Sequence, residues 1–288
     1  MGKATYIYAG NRFFVLERML QHGLNIVAIY AVPDSYLHRA LDERGMSGIL
    51  IESKRQLVES LQQSKFDIFV SNGLPYILPA TKIKEATGAR LINVHPSYLP
   101  DLRGPDPVRG ALLFGRRSGA TCHHMDDGVD TGEIIARIAI ENTPDIDCGL
   151  LYQLCFQAEV KVFEMALQRN FKSCHVQAED DSNIYYTVQT KDREIDWGTD
   201  GETILRQIRA FGTRSQGARF TYAGLEVKIF DAEWVTNPFL LERLNDYQEN
   251  EVVFSYEGCL LVRKGTAFIK LKQICGDVSA IRPGTLLG

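Results

Sequence analysis

Arg90-Leu91-Ile92-Asn93-Val94-His95-Pro96-Ser97-Tyr98-Leu99-Pro100 begins as an apolar run and ends in a polar pair and two prolines. A run this short, closed by Pro96, reads as a buried strand. Asn93 and His95 are two apart, so on a strand they share one face. Four earlier runs have the same character: Ala4–Ala9, Asn25–Val32, Gly48–Ile51 and Phe66–Ser71. Helical spacing appears between them at Phe13–Gln21 and Arg55–Gln63. Strands apolar on both faces, alternating with helices, predict an α/β domain with a Rossmann-like, mostly parallel sheet and helices on both faces. Pro107–Phe114 reads as a further helix, and Ala120–His124 and Ile134–Ile140 as strands. Cys148–Leu167 is amphipathic and closes this domain, assigned to residues 1–176.

The stretch Val176-Gln177-Ala178-Glu179-Asp180-Asp181-Ser182-Asn183 is polar and reads as a linker. Beyond it come a helix at Thr203–Phe211 and five short strands: Ala218–Tyr222, Glu226–Phe230, Glu251–Ser255, Cys259–Arg263 and Ala267–Gln273. Strands in succession, separated by Gly and Asn turns, predict a smaller C-terminal β-rich domain over 183–288, an OB-like barrel.

The chain has 288 residues and a formal net charge of −4. From residue 181 on, 13 Lys/Arg stand against 15 Asp/Glu, a balance of −2. A nucleic-acid binder shows a basic excess, because phosphate neutralisation dominates its affinity. No apolar run approaches the roughly 20 residues of a membrane span. The start lacks the layout of a signal peptide, and Tyr6 stands where a myristoylation signal needs Ser or Thr. Six cysteines without a Cys-x-x-Cys pair read as reduced thiols. The expectation is a cytoplasmic protein with no nucleic-acid and no membrane partner.

In an open parallel sheet, ligands bind at the carboxyl ends of the strands, where Asn93 and His95 stand. About thirty-five residues on comes Met125-Asp126-Asp127-Gly128-Val129-Asp130-Thr131-Gly132, a second loop with a carboxylate. An amide, an imidazole and a carboxylate together suit acyl transfer to an amine. Asn93 can donate to the developing oxyanion, a role worth about 2.7–4 kcal/mol for one donor. His95 can carry protons, and Asp130 can orient the imidazole and favour its charged form. Alone, an Asn-x-His pair is commonly an Asx turn and a histidine bonded to a carbonyl.

Other chemistries fit less well. Counting from Asp126, Gly128 falls third rather than sixth, so the loop is no EF-hand. Adjacent Asp126 and Asp127 are badly placed to flank one glycosidic bond. His123 and His124 are strand neighbours on opposite faces and cannot chelate one zinc ion, so no metal site is expected. Ala9-Gly10-Asn11-Arg12 holds neither a dinucleotide fingerprint nor a P-loop.

At these residues the chain resembles the folate-dependent formyltransferases. Asn93/His95/Ser97/Leu99/Pro100 and Met125/Asp126/Gly128/Asp130/Gly132 match the family's two loops. The resemblance implies transfer of a formyl group from the co-substrate N10-formyltetrahydrofolate to an amine. It implies that Asn93 stabilises the oxyanion, that His95 transfers the proton and that Asp130 tunes it. Ile77, Leu78, Pro79, Asp126, Asp127, Gly128 and Val129 would hold the pterin. Ile195-Asp196-Trp197, Gly217-Ala218 and Lys228-Ile229 resemble the barrel of two-domain members. That length disfavours the glycinamide-ribonucleotide branch. The methionyl-tRNA branch tends to carry a basic surface and Arg-Gly-Ala-Ala-Pro, where this chain reads Arg103-Gly104-Pro105-Asp106-Pro107. The expectation is an N-formyltransferase for a nucleotide-linked amino sugar of surface glycans, with methionyl-tRNA formylation and a non-catalytic folate- or nucleotide-binding module as alternatives. Tyr98 is the candidate lining of the acceptor pocket; Arg103 and Arg109 are candidates for its pyrophosphate. A homodimer through apolar edges of the small domain is a further expectation.

Overall fold

Short runs rich in Ile, Val and Tyr bury both faces and become neighbouring strands of one sheet. In the computed structural model, residues 4–178, 180–213 and 216–288 are described. The opening Met1-Gly2-Lys3 and Glu179 of the polar stretch lie outside the described residues. β1 (Thr5–Gly10), β2 (Asn25–Ala31), β3 (Ile49–Leu50), β4 (Ile68–Asn72) and β5 (Arg90–His95) run parallel in the order β3-β2-β1-β4-β5. β6 (Ser118–His124) and β7 (Ile134–Ile140) add two antiparallel strands beyond β5. The order reverses between β1 and β4, which places a switch point at their carboxyl ends. There the backbones nearly touch: a Cβ on Gly10 would sit 1.9 Å from the Asn72 carbonyl oxygen.

The helices between these strands are α1 (Phe14–Gln21), α2 (Tyr36–Glu43), α3 (Lys54–Gln63) and α4 (Ala80–Thr87); α5 (Pro107–Leu113) follows β5 and α6 (Cys148–Gln168) follows β7. α2 and α4 are additions to the sequence reading. Their signals are local: Ser35 Oγ accepts from His38 N at the start of α2, and Gly88 ends α4 at φ 69°. The sheet buries both faces, with Tyr8, Leu16, Val70 and Phe163 on one and Ile7, Leu57, Phe69 and Leu91 on the other. Alternate residues of β1 therefore serve opposite cores.

Two compact units are present. One runs to Pro107 and adds Arg117–Glu141 and Tyr152–Tyr186; the other comprises Val108–Arg116, Asn142–Leu151 and Thr187–Gly288. The second unit holds α7 (Gly201–Phe211), capped by Asp200, whose Oδ1 accepts from Thr203 N at 2.9 Å. Its strands are β8 (Ala218–Tyr222), β9 (Leu225–Val235), β10 (Val252–Tyr256), β11 (Cys259–Lys264) and β12 (Ala267–Cys275), with α8 (Pro238–Leu241) between β9 and β10. They form one antiparallel sheet in the order β10-β11-β12-β9-β8. This is the expected β-rich C-terminal domain, and among the described residues no ladder joins its edge strands β8 and β10. β9 runs on to Val235 because its second half pairs with β12.

The polar stretch after α6 is tied to the first unit. Gln177 is buried and donates to the carbonyls of Asp130 (2.8 Å) and Gly132 (2.7 Å). Tyr186 N donates to the Arg103 carbonyl, and Arg103 N to that of Ile184, both at 3.0 Å.

Beneath the switch point lies a charged pair. Glu159 on α6 is wholly buried, and Arg12 Nη1 donates to its Oε1 at 2.5 Å. Burial pushes the Glu159 carboxyl up to about 7, against the pull of Arg12. A carboxyl raised above its ordinary 4.5 in the fold contributes stability fully below that value, and loses it as pH rises through about 7. Urea unfolding across this window is expected to show falling stability for the wild type and a flatter profile for Glu159→Gln; equal slopes would contradict it.

Candidate active site

Asn93 and His95 stand at the end of β5, and Asp130 in the loop between β6 and β7. The structure brings the three together. Asn93 Nδ2 lies 3.1 Å from Asp130 Oδ1. His95 Nδ1 lies 3.6 Å from Asp130 Oδ2, longer than a good hydrogen bond. His95 Nε2 donates to the Leu102 carbonyl at 3.1 Å. Gly104 N donates to Asp130 Oδ2 at 3.0 Å. Asp130 adopts a left-handed backbone at φ 54°, which Asp tolerates better than most residues.

A fourth side chain joins them. His123 on β6 is paired in register with Asn93, so both face the same way. Its Nε2 lies 3.2 Å from Asn93 Nδ2 and 3.5 Å from Asp130 Oδ1. Both amide hydrogens of Asn93 are thus directed into the cluster.

His95 is buried, and burial holds its imidazole below the ordinary 6.5, with Asp130 pulling the other way. Burial also works against the charge of Asp130. The facing His95 and His123 and the N–H of Gly104 outweigh it and keep the carboxyl well below the usual carboxylate range. The site therefore combines an ionised carboxylate with an imidazole that resists protonation. With Nε2–H held by Leu102, the bare nitrogen is Nδ1, beside Asp130. A proton taken there gains the carboxylate as partner.

The cluster opens into a cavity of about 390 Å³. Leu74, Pro75, Tyr76, Ile77, Leu78 and Met125 form an apolar wall, and Asp126, Gly128 and Val129 a polar rim. Asp126 Oδ1 shapes that rim by accepting from Gly128 N (3.1 Å) and Thr131 Oγ1 (2.6 Å). A flat heteroaromatic ring with polar edges suits such a slot. Among the described residues no group of three His, Cys, Asp or Glu is arranged to hold a metal ion.

Residues 46–167 match the family model described as formyl transferase, and residues 187–275 that of the formyl transferase C-terminal domain. The chain belongs to the formyltransferase family. It is 28% identical to a methionyl-tRNA formyltransferase from Nitrosospira multiformis, with 93% of this chain and 90% of the relative covered. It is similar in fold to an N-formyltransferase from Helicobacter canadensis solved with folinic acid and dTDP-3-aminofucose, at TM-score 0.73 and 19% identity, covering 95% of this chain and all of that one. A 4-N formyltransferase from Francisella tularensis aligns at TM-score 0.65 and 19% identity, covering 76% of this chain and 93% of that one.

In this formyltransferase Ile77, Leu78, Asp126, Gly128 and Val129 line the cavity, but Pro79 and Asp127 do not. Pro79 is the residue before α4, and Asp127 Oδ1 is engaged by Thr81 N at 3.1 Å, at the start of that helix. Tyr98, Arg103 and Arg109 are also absent from the lining. The ring of Tyr98 faces the guanidinium groups of Arg117 and Arg137. Arg103 gives Nε (3.3 Å) and Nη2 (2.9 Å) to Gln177 Oε1. Arg109 lies two residues beyond the cavity-lining Pro107 in a helix, which turns it to a different face.

The sequence reading passed over His123, Asn11, Arg12 and Tyr185, all cavity residues. Asn11 and Arg12 carried one usable signal, their place just past the end of β1. His123 and Tyr185 carried none, because pairing register and loop contacts bring them in.

An imidazole can serve as a base only when unprotonated. The acidic limb of kcat against pH is therefore expected below 6.5. Asp130→Asn removes the charge that supports protonation, so the limb moves lower still and kcat falls by about 10² or more. A limb above the ordinary histidine value would show that burial does not dominate.

Proposed function

We propose that this formyltransferase moves a formyl group from N10-formyltetrahydrofolate to the amino group of a nucleotide-linked dideoxy-amino sugar, dTDP-, UDP- or GDP-linked, for surface glycan synthesis. The observation that carries formyl transfer is the Asn93–Asp130–His95 cluster at the end of a cavity with an apolar wall. The donor supplies an electrophilic formyl carbon. His95 Nδ1 takes the proton released as the amine nitrogen bonds to that carbon. It returns the proton to the donor nitrogen as the old carbon–nitrogen bond breaks, so the reaction is balanced without net acid or base. Asp130 offsets the transient imidazolium. Asn93 exchanges one of its two inward hydrogen bonds for the oxyanion, a donor formed only as charge develops.

The sugar acceptor is supported by three observations. Charge from residue 181 on is −2, which suits a small acceptor better than a tRNA. Position 105 is proline within Arg103-Gly104-Pro105-Asp106-Pro107. The Helicobacter relative was solved with dTDP-3-aminofucose. Methionyl-tRNA is the second reading, favoured by the 28% identity to the Nitrosospira enzyme.

The test offers the protein N10-formyltetrahydrofolate with dTDP-, UDP- and GDP-linked amino sugars, and separately with methionyl-tRNA, and reads formylated product by mass. Turnover of at least one sugar is expected, reduced by about 10²–10³ in Asn93→Ala. Formylation of the tRNA alone would overturn the sugar reading, and unchanged turnover in Asn93→Ala would remove that residue from its role.

A further inference from the structure

Asn93 on β5 and His123 on β6 are directly paired, so their side chains stand on one face of the sheet. His123 is buried, and both nitrogens of its ring are engaged. Nδ1 lies 2.8 Å from the His124 carbonyl oxygen, and Nε2 lies 3.2 Å from Asn93 Nδ2. A carbonyl only accepts, so Nδ1 carries the hydrogen. An amide nitrogen only donates, so Nε2 is bare and accepts. The His124 carbonyl needs room for this contact, and Gly132 leaves it: a Cβ there would sit 1.8 Å from that oxygen. A glycine of the second loop thus keeps in place the acceptor that decides which nitrogen of His123 is bare.

The other hydrogen of Asn93 goes to Asp130 Oδ1 at 3.1 Å. An ionised carboxylate accepts only, so it selects the NH2 end of the amide. One such contact leaves the amide plane free to turn about it. His123 Nε2, 3.5 Å from that carboxylate oxygen, is a second acceptor in a second direction and fixes the plane as well. A donor serves a developing oxyanion best when its direction is set beforehand. Of the two bonds, the one to an uncharged ring nitrogen is weaker than the one to a carboxylate. Its hydrogen is the one that an oxyanion takes over.

We propose that His123 is the positioning residue of this site: its bare Nε2 sets the plane of the Asn93 amide and holds the hydrogen that passes to the oxyanion. It acts through Asn93 and not on the substrate. This inference rests on the oxyanion role of Asn93 in the formyl-transfer reading.

Steady-state kinetics of His123→Met and His123→Gln, each alone and combined with Asn93→Ala, test it with N10-formyltetrahydrofolate and the amine that the wild type formylates. His123→Met removes the acceptor and is expected to lower kcat about tenfold, the worth of one uncharged hydrogen bond. KM for the folate donor stays unchanged. The Oε1 atom introduced by His123→Gln reaches the place of Nε2, so that variant recovers most of the rate. In Asn93→Ala, His123→Met costs nothing further, the non-additivity of two residues that act as a unit. The same tenfold loss in that background would overturn the proposal, because His123 would then act through Asp130 or through the fold. Equal losses in His123→Met and His123→Gln would overturn it as well. Nitrogen-15 spectra of the histidine rings read the contact without turnover, with the His123 signals identified by their loss in His123→Gln. A hydrogen on Nδ1 and a bare Nε2 are expected, and a hydrogen on Nε2 would refute the assignment. Unchanged turnover in Asn93→Ala beside a bare Nε2 would discard the oxyanion role of Asn93 and keep His123 as the holder of its amide.

Discussion

The partly buried carboxylate of Asp130 is the constraint on which the site depends. Taking a carboxylate out of water costs several kcal/mol unless donors surround it. Here the donors come from separate segments, Asn93 from β5 and Gly104 N from the following loop, and the imidazoles of His95 and His123 face the carboxylate. Gln177, far along the chain, holds the Asp130 and Gly132 carbonyls. Each segment is fixed by what this one charge requires. Gly104 shows how tightly: its φ is 100°, and a Cβ there would meet the Tyr185 ring at 2.8 Å.

The same charge sets the chemistry. Burial alone would leave His95 a poor proton acceptor, and Asp130 restores part of its basicity while remaining ionised. A base that is neutral at rest and stabilised once protonated suits transfer between two nitrogens of comparable basicity. The inward hydrogen bonds of Asn93 have a related effect. They hold the amide in place at rest. Arg12, a cavity residue just past β1, is paired with the buried Glu159 of α6, which puts a second charge pair beside the site.

Much of this was legible in the chain. The five parallel strands follow from short apolar runs, and Ile134–Ile140 and Ala218–Tyr222 match to the residue. Asn93, His95 and Asp130 were legible because strand periodicity and a glycine-marked loop act locally. α2 and α4 were harder: each is eight residues long, and their capping residues Ser35 and Gly88 were their only sharp signals. The β-rich second unit was legible too, but strand succession predicts pairing of neighbours and did not show that β9 pairs with β12.

The sequence by itself determined the sheet, the order of its helices and the residue types of an acyl-transfer site. These depend on periodicity and turn chemistry, which are properties of neighbouring residues. Only the tertiary structure decided which polar groups meet. Register across β5, β6 and β7 brought His123 to Asn93 and aligned Arg137 with His95, and the loop after α6 brought Gln177 to Arg103. Those choices depend on distances between residues far apart in the chain, and a one-residue slip in strand pairing would reverse every one of them.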